Sequence, residues 1–333
     1  MVTFVNISKQ NTQFLSMQSA GYWVLRRLFK YGSLLVKPFE RRCIRKYGKK
    51  DPGKGPVFIV GLPRSGSTFL YQVLTDMFDV NYIDNLTHLA RENFYLGFLI
   101  SKLIFGDRPH YNYSSSYGNT IEGGLHAPSE AGSLWYRWIP VDSIYLDENS
   151  LNDRDKREMV QNLNAVMNRF KKPLLIKNVY FSNRIRLIRA LFPNAKFIYI
   201  TREPEYISQS IYLSRKKYSD NPSEDWWSLR FPGYESLLKL PLEEQVVRQV
   251  FEIKRIIERD ISDLEPERVV KIRYEDLEIE KVRQIFHLFL DVDLRKGFSI
   301  DRVQFVPGNL RKLEEKKFFK IQNIINRIST EYN

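Results

Sequence analysis

The octet Gly61 to Thr68 constrains the fold of this 333-residue chain more than any other stretch of it. It follows the apolar run Val57 to Val60 and precedes an apolar-periodic stretch, Thr68 to Phe78, which is the strand–loop–helix context of a phosphate-binding loop. Two glycines, Gly61 and Gly66, allow successive backbone N–H groups to point inward, and the helix N-terminus adds partial positive charge. The octet therefore predicts an anion site, and its candidate binding residues are Arg64, Ser65, Gly66, Ser67 and Thr68.

This loop differs from the nucleoside-triphosphatase loop G-x-x-x-x-G-K-[ST] at one position. Ser67 stands where that loop has the lysine that reaches the β- and γ-phosphates, and the cation of this loop lies earlier, at Arg64. A P-loop kinase or ATPase, the first alternative, would need that lysine and a metal-binding Asp after a strand. The sequence instead favours a nucleotide with one 5′-phosphate joined to a second anion.

The rest of the chain alternates short apolar runs with helical periods. This pattern favours a P-loop-type α/β fold, with a mostly parallel sheet and helices on both faces. Residues 106–128 are predicted as a long loop, of the kind that is usually functional, and residues 219–240 as a mobile covering segment. Strands are predicted at 57–60, 81–84, 174–176, 196–200 and 269–272, and helices at 68–78, 87–105, 130–138, 151–170, 183–191, 205–217, 242–260 and 275–290.

Residues 1–55 are predicted as a basic amphipathic helical extension and linker, and residues 56–333 as a single domain. The stretch from Gly21 to Arg45 mixes aromatic and leucine side chains with Arg and Lys. A helix of this kind either lies on a membrane surface or packs on the main domain with its basic face in water, and the second interpretation is favoured.

The chain carries 52 Lys and Arg against 39 Asp and Glu, a net charge of +13. This excess attracts anions, or simply aids solubility. A non-catalytic basic module that binds nucleic acid or a membrane is the second alternative, but it leaves the Arg64 loop unexplained. No nucleic-acid partner is therefore expected, and the oligomeric state stays open.

A cytoplasmic location is expected from the single cysteine, Cys43, which cannot form an intrachain disulfide. The N-terminus lacks the pattern of a signal peptide, and the longest apolar stretch, Phe94 to Phe105, is too short to span a bilayer. Within the cytoplasm, peripheral contact with the inner face of the membrane is an alternative that stays open. The four histidines and one cysteine show no metal-ligand spacing, so no metal is expected.

A second element lies between Lys196 and Ser210. An apolar strand, Lys196 to Thr201, is followed by Arg202 and, eight positions later, by Ser210. This arrangement resembles the 3′-phosphate segment of sulfotransferases that use 3′-phosphoadenosine 5′-phosphosulfate (PAPS). The resemblance implies that Arg202 and Ser210 bind the 3′-phosphate, and the carboxyl end of a strand is where α/β sheets bind ligands.

The resemblance covers residues 56–292. Val57 to Leu70 resembles the family's 5′-phosphosulfate loop, and Pro173 to Lys177 resembles the strand and lysine that precede the 3′-phosphate segment. Arg273 to Leu277 resembles a segment whose tyrosine lies near the adenine, which implies that contact for Tyr274, with a core aromatic as the alternative. PAPS is the co-substrate that the resemblance implies.

Sulfuryl transfer needs a base for the acceptor proton and cations for the charge that builds on the leaving phosphate. Lys177 and Arg64 are the candidate cations. In the cytosolic small-molecule branch of the family, the base is a His at the position of Val179. In the tyrosyl-protein branch it is a Glu near the position of Asn85, which cannot act as a base.

A bacterial, glycan-associated group of the family fits better. Its Pro-x-Glu-x-Gly segment before a Trp-rich helix resembles Pro128 to Gly132, which implies Glu130 as the base, at the start of a helix. Burial beside aromatics would raise the pKa of this carboxyl, and a helix-capping carboxylate is the alternative. His126 and His88 are the backup candidates, and Ser129 stands where the group has a His.

The acceptor is expected to carry a hydroxyl. A carbohydrate or glycolipid comes first, by analogy with the bacterial group, and a small phenol or alcohol second. Several aromatic residues either line an acceptor cleft or form core, namely Tyr111, Tyr113, Tyr117, Trp135, Trp138, Trp226 and Trp227.

Overall fold

The computed structural model describes residues 17–115, 118–303 and 308–332. Its centre is a five-stranded, all-parallel sheet in the order β2-β3-β1-β4-β5. This confirms the predicted mostly parallel sheet. The strands are β1 (Val57–Gly61), β2 (Asn81–Tyr82), β3 (Leu174–Lys177), β4 (Lys196–Thr201) and β5 (Val269–Arg273).

Helices cover both faces of the sheet. Alternate residues of β1 point to opposite faces, so Phe58 and Val60 enter one core and Val57 and Ile59 the other. The helices are α1 (Met17–Tyr47), α2 (Ser67–Met77), α3 (Asn85–Leu89), α4 (Phe94–Phe105), α5 (Gly132–Trp135), α6 (Asp153–Phe170), α7 (Ile185–Leu191), α8 (Pro204–Tyr218), α9 (Leu242–Ile261), α10 (Ile279–Leu290) and α11 (Glu315–Tyr332). The first core packs under α6 to α9, and the second under α2 and α10.

Three predicted helices have different bounds in the structure. The helix predicted at 87–105 is two helices, α3 and α4, separated by a short 3₁₀ turn. They pack closely because Gly97 faces Ala90, and a Cβ on Gly97 would lie only 2.6 Å from the Ala90 Cβ. The helix predicted at 275–290 begins at Ile279, after a 3₁₀ turn at Tyr274–Asp276, and that predicted at 130–138 is reduced to α5. The C-terminal helix α11 has no counterpart in the sequence-based prediction.

The segment 219–240, predicted as a mobile cover, is anchored to the core by three buried residues, Trp226, Leu229 and Phe231. The indole of Trp226 is buried and donates to the carbonyl of Leu229, while the guanidinium of Arg215 stacks 4.2 Å from the Trp226 ring centre. Gln249 on α9 also donates to the Leu229 carbonyl, at 2.8 Å. These buried contacts fix the segment against α8 and α9.

The N-terminal helix α1 packs on α6 and on the turn before α4. Arg26 forms an ion pair with Glu92 and donates to the carbonyl of Leu89, and the buried carboxylate of Glu40 accepts from the backbone of Tyr95 at 2.9 Å. The extension is therefore joined to the domain by buried polar contacts. Within the described ranges, no helix has both the length and the apolarity to cross a bilayer.

Candidate active site

The phosphate loop joins β1 to α2 and holds two residues in the left-handed backbone region. Arg64 has φ 69° and Gly66 has φ 90°. A Cβ on Gly66 would lie 2.4 Å from Cδ2 of Tyr274, so only glycine lets that ring lie against the loop. The hydroxyl of Ser182 accepts from the N–H of Gly61 and donates to its carbonyl, which fixes the start of the loop. The sequence analysis missed Ser182.

The loop and the segment after β4 meet at one site. Arg202 donates from Nη1 to the carbonyl of Arg64 at 2.9 Å, across 138 residues of chain. In return, Nε of Arg64 donates to the hydroxyl of Ser210 at 2.9 Å. The two segments lie together because β1 and β4 are parallel neighbours, with Gly61 paired to Ile200.

Arg202 is further fixed by the described residues near the C-terminus. It donates to the Asn309 side chain at 2.8 Å and to the Gly308 carbonyl at 2.7 Å, and its guanidinium lies 4.5 Å from the Tyr274 ring centre. Burial lowers the pKa of Arg202 from its ordinary value. Asn309 also donates to Glu275. Neither Asn309 nor Glu275 was predicted as a site residue from the sequence. Asn309 lies beyond the region of family resemblance, and Glu275 lies within it, next to Tyr274.

Not every hydroxyl of the loop faces the site. The Ser65 side chain is fully buried, and a Cβ on Gly61 would lie 3.1 Å from its Oγ, so this hydroxyl points under the loop towards β1. Thr68 is half-buried, and its Oγ1 accepts from Nζ of Lys177 at 2.9 Å. The backbone N–H of Ser65 is also buried and donates to the carbonyl of Leu62 at 3.2 Å, so of these two residues only Thr68 presents a hydroxyl beside Lys177.

Glu130 and Lys177 form an ion pair beside the loop. Nζ of Lys177 contacts the Glu130 carboxylate, and the hydroxyl of Thr68 lies 3.3 Å from the same carboxylate oxygen. The side chain of Lys177 is 4% exposed and that of Glu130 is 20% exposed, so Glu130 is the more accessible partner. This arrangement places a partly exposed carboxylate next to a buried ammonium group and a hydroxyl.

Glu130 neither opens nor caps a helix, contrary to both expectations. The helix α5 begins at Gly132, after Ala131 in the left-handed region with φ 48°, and the Glu130 side chain turns away to Lys177. Its carbonyl accepts from Nε1 of Trp135 at 3.1 Å and from Nδ2 of Asn178 at 2.9 Å. These two donors hold the sharp turn that directs the carboxylate into the site.

A family model described as "Sulfotransferase family" matches residues 56–294. The chain belongs to this family. The match confirms the resemblance found in the sequence, and it spans the phosphate loop, Lys177, Arg202 and Tyr274.

Curated sulfotransferases of mycobacteria are among the relatives of the chain. The omega-hydroxy-beta-dihydromenaquinone-9 sulfotransferases Stf3 of Mycobacterium bovis and Mycobacterium tuberculosis are each 27% identical to it over 268 residues. The match covers 72% of this chain and 63% of each relative, so the chain spans less than two thirds of their length.

Solved sulfotransferase structures also align with the chain. The sulfotransferase STF1 of Mycobacterium tuberculosis H37Rv aligns with 16% identity and a TM-score of 0.48, over 90% of this chain and 84% of that one. The sulfotransferase domain from the curacin biosynthetic pathway aligns with 22% identity and a TM-score of 0.38, over 80% and 82%.

The two backup candidates for the base, His126 and His88, make their contacts away from the ion pair of Glu130 and Lys177. The His126 ring stacks 4.4 Å from Phe105 and contacts the hydroxyl of Tyr82 and the carbonyl of Arg108. His88 is half-buried between the hydroxyls of Ser129 and Ser133, and the desolvation of its ring lowers its pKa to about 4. The His126 ring therefore attaches its loop to Tyr82, Phe105 and Arg108, and the His88 ring holds Ser129, the neighbour of Glu130.

Most of the aromatic residues predicted either to line an acceptor cleft or to form core belong to the core or pack against it. Trp135, Trp138 and Trp226 are buried, and the hydroxyl of Tyr113 donates to the buried Asp76. Tyr117 lies outside the described residues. Tyr111 is exposed, and Trp227 is half-buried. The described residues contain no His, Cys, Asp and Glu cluster that could hold a metal ion.

Proposed function

We propose that this chain is a PAPS-dependent sulfotransferase, a transferase of the EC 2.8.2 type that moves a sulfuryl group to a hydroxyl acceptor. The observation that carries the proposal is the direct contact between the Arg64 loop and the Arg202–Ser210 segment. One bisphosphorylated nucleotide could reach both. Family membership supports the same reaction class.

The donor set fits a nucleotide with an anion at each end. The α2 N-terminus, Arg64 and Thr68 would bind the 5′-phosphosulfate, because backbone N–H groups, a guanidinium and a hydroxyl all favour a phosphate oxygen. Arg202 and Ser210 would bind the 3′-phosphate, and Tyr274, beside Gly66, would contact the adenine. Ser67 takes the position of the kinase lysine, which argues against a P-loop kinase.

The acceptor side would supply a base and a cation. The Glu130 carboxylate would take the proton of the acceptor hydroxyl while its oxygen forms a bond to sulfur, and the bond from sulfur to the bridging phosphate oxygen breaks. Lys177 and Arg64 would hold the charge left on that phosphate. The contact between Glu130 and Lys177 supports these two roles, since it places the proposed base next to the proposed cation.

The acceptor is a lipid that carries a hydroxyl, with glycolipids included. The curated relatives are named for a hydroxylated menaquinone, which favours a lipid over a free sugar. Burial of Trp135, Trp138 and Trp226 removes those rings from sugar stacking. A small phenol or alcohol remains the second acceptor class. A cytoplasmic location at the inner face of the membrane accords with a lipid acceptor.

Calorimetry with 3′-phosphoadenosine 5′-phosphate tests the donor site. The wild type should bind this nucleotide in preference to Mg-ATP, and Arg202→Ala should weaken binding at least about tenfold, because a charge-assisted contact to phosphate is lost. Arg283→Ala, on the exposed surface of α10, is the matched control and should bind normally. Preference for Mg-ATP, or normal nucleotide binding by Arg202→Ala, would contradict the proposal.

A further inference from the structure

The outward face of α1 is apolar, although a helix packed on a soluble domain usually turns a polar face to water. The face opposite Arg26 and Glu40 carries large apolar side chains at helical spacing, and Leu28, Tyr31 and Leu35 are 64%, 72% and 86% exposed. We call this surface the outer face of α1. Its members are Val24, Leu28, Tyr31, Leu34, Leu35 and Phe39. A contiguous apolar surface of this kind indicates an interaction site.

The charges around the outer face all have one sign. Arg27, Lys30 and Lys37 are exposed along its length, and further cations follow it from residue 41 to residue 46. Between residues 21 and 47 the only acidic side chain is Glu40, and it is buried against α4. The occupant must therefore accept apolar side chains and supply negative charge. A second copy of α1 would instead oppose cations to cations.

We propose that the outer face of α1 binds the surface of an anionic phospholipid bilayer. The apolar side chains would enter the boundary between headgroups and acyl chains, and the Lys and Arg side chains would contact lipid phosphates. The helix would lie in the plane of the surface, in keeping with its charge content, which is too high for a spanning helix. The binding itself stands on α1 alone; its use to reach a lipid acceptor rests on the proposed function.

The docked helix would orient the active site, because α1 is joined to it by a short series of contacts. Arg26 holds Glu92, in the turn that follows α3. The same α3 carries His88, whose ring contacts Ser129, the neighbour of Glu130. A membrane contact on α1 would therefore set the direction in which the Glu130 segment faces the lipid.

Vesicle co-sedimentation of the full chain tests the proposal. We expect binding to phosphatidylcholine vesicles that contain phosphatidylglycerol, and at least about tenfold weaker binding to pure phosphatidylcholine, because cations near an anionic surface each contribute to affinity. The triple variant Leu28→Gln, Leu35→Gln and Phe39→Gln should lose at least about tenfold in affinity for the anionic vesicles.

The matched control carries three glutamines at apolar positions exposed elsewhere, Val141→Gln, Leu288→Gln and Phe319→Gln, and should bind as the wild type does. Thermal unfolding of both variants checks that the exposed substitutions leave the fold intact. Equal vesicle binding by the α1 variant and the wild type would overturn the proposal, as would equal binding to neutral vesicles.

Sedimentation velocity without lipid separates the remaining alternative. A dimer that the α1 variant abolishes, together with no vesicle binding by the wild type, would assign the outer face to a second copy and overturn the membrane proposal. Nucleotide calorimetry on the same samples keeps the two proposals apart. If the wild type did not bind the nucleotide, the sulfotransferase function would be contradicted, and the vesicle result would be unchanged.

Discussion

The donor side and the acceptor side of this site are built in different ways. On the donor side, Arg64 and Arg202 are placed by the ends of β1 and β4, whose register is fixed by five pairs of residues. On the acceptor side, Glu130 is placed by single side-chain contacts from Lys177, Asn178 and Trp135. The first arrangement follows from the sheet, whereas the second depends on a few long-range contacts.

Because the two sides are held by different contacts, the Glu130 side can change independently of the side that holds Arg64 and Arg202. A substitution on the acceptor side can alter the position of Glu130 without moving the strands that hold Arg64 and Arg202. Changes in acceptor should therefore be compatible with a constant nucleotide site. Turnover, stability and nucleotide affinity should therefore respond differently to substitutions on the two sides.

Glu130→Gln should have the largest effect. Turnover should fall by about 100-fold or more, the usual scale for the loss of a general base, while affinity for 3′-phosphoadenosine 5′-phosphate stays within about twofold. Steady-state kinetics and calorimetry measure the two quantities. Glu122→Gln, an exposed carboxylate of the preceding loop, is the control and should leave turnover unchanged. Unchanged turnover in Glu130→Gln would remove this residue from the mechanism.

A fall in pH should destabilise the segment around Glu130 before it destabilises the phosphate loop. Burial lowers the pKa of two rings to about 4, from 6.5. One is His88, which contacts Ser129 beside Glu130, and the other is His110, which anchors the loop before Glu130 to Thr75 of α2. The unfolded rings take up protons below pH 6.5 and the folded rings only near pH 4, so the stability that these neutral rings confer is complete above pH 6.5 and is lost as the pH falls towards 4. Each ring accounts for up to about 3 kcal/mol of the free energy of unfolding.

Urea unfolding between pH 7 and pH 4 measures this loss. His88→Gln, which removes one of the two titrating rings, should reduce the pH dependence by roughly half. Hydrogen exchange at the same pH values should show the segment around Glu130 opening before the phosphate loop. If His88→Gln had the same pH dependence as the wild type, or if the phosphate loop opened first, the expected difference between the two sides would be contradicted.

Two glycine substitutions should separate the two sides most directly. Gly66→Ala would place a Cβ 2.4 Å from the Tyr274 ring, at a left-handed backbone position, and should weaken nucleotide binding about tenfold or more. Gly118→Ala would place a Cβ 2.3 Å from Oε1 of Glu130 and should lower turnover several-fold, roughly tenfold at most, with normal nucleotide affinity. If both variants lost nucleotide affinity equally, the two sides would not be independent.

The donor side could be predicted from sequence because its signals are local. The octet at Gly61 to Thr68 shows a strand end, two glycines and a helix start within a few residues, and Arg202 directly follows an apolar strand. Parallel pairing of those strands then brings the two segments to the same edge of the sheet. Strand positions were accordingly predicted to within two residues.

The surroundings of Glu130 could not be predicted in the same way. A left-handed alanine has no sequence signal, so the helix expected to start at Glu130 begins instead at Gly132. The break between α3 and α4 depends on Glu40, more than fifty residues away in sequence. Likewise, Asn309 reaches Arg202 from a part of the chain that lies beyond every motif. Contacts between distant residues decide each of these features.

The buried carboxylate of Glu40 makes α1 an integral part of the folded unit. It accepts the Tyr95 and Leu96 N–H groups at the start of α4, which supplies no cap of its own, and the amide of Asn93. Without α1, these donors would lose their acceptor and that end of α4 would fray. The family match begins at residue 56, but the buried polar contacts of the domain extend back to Glu40 and Arg26. The stretch that the family shares and the stretch that the buried contacts hold together therefore begin at different places in this chain.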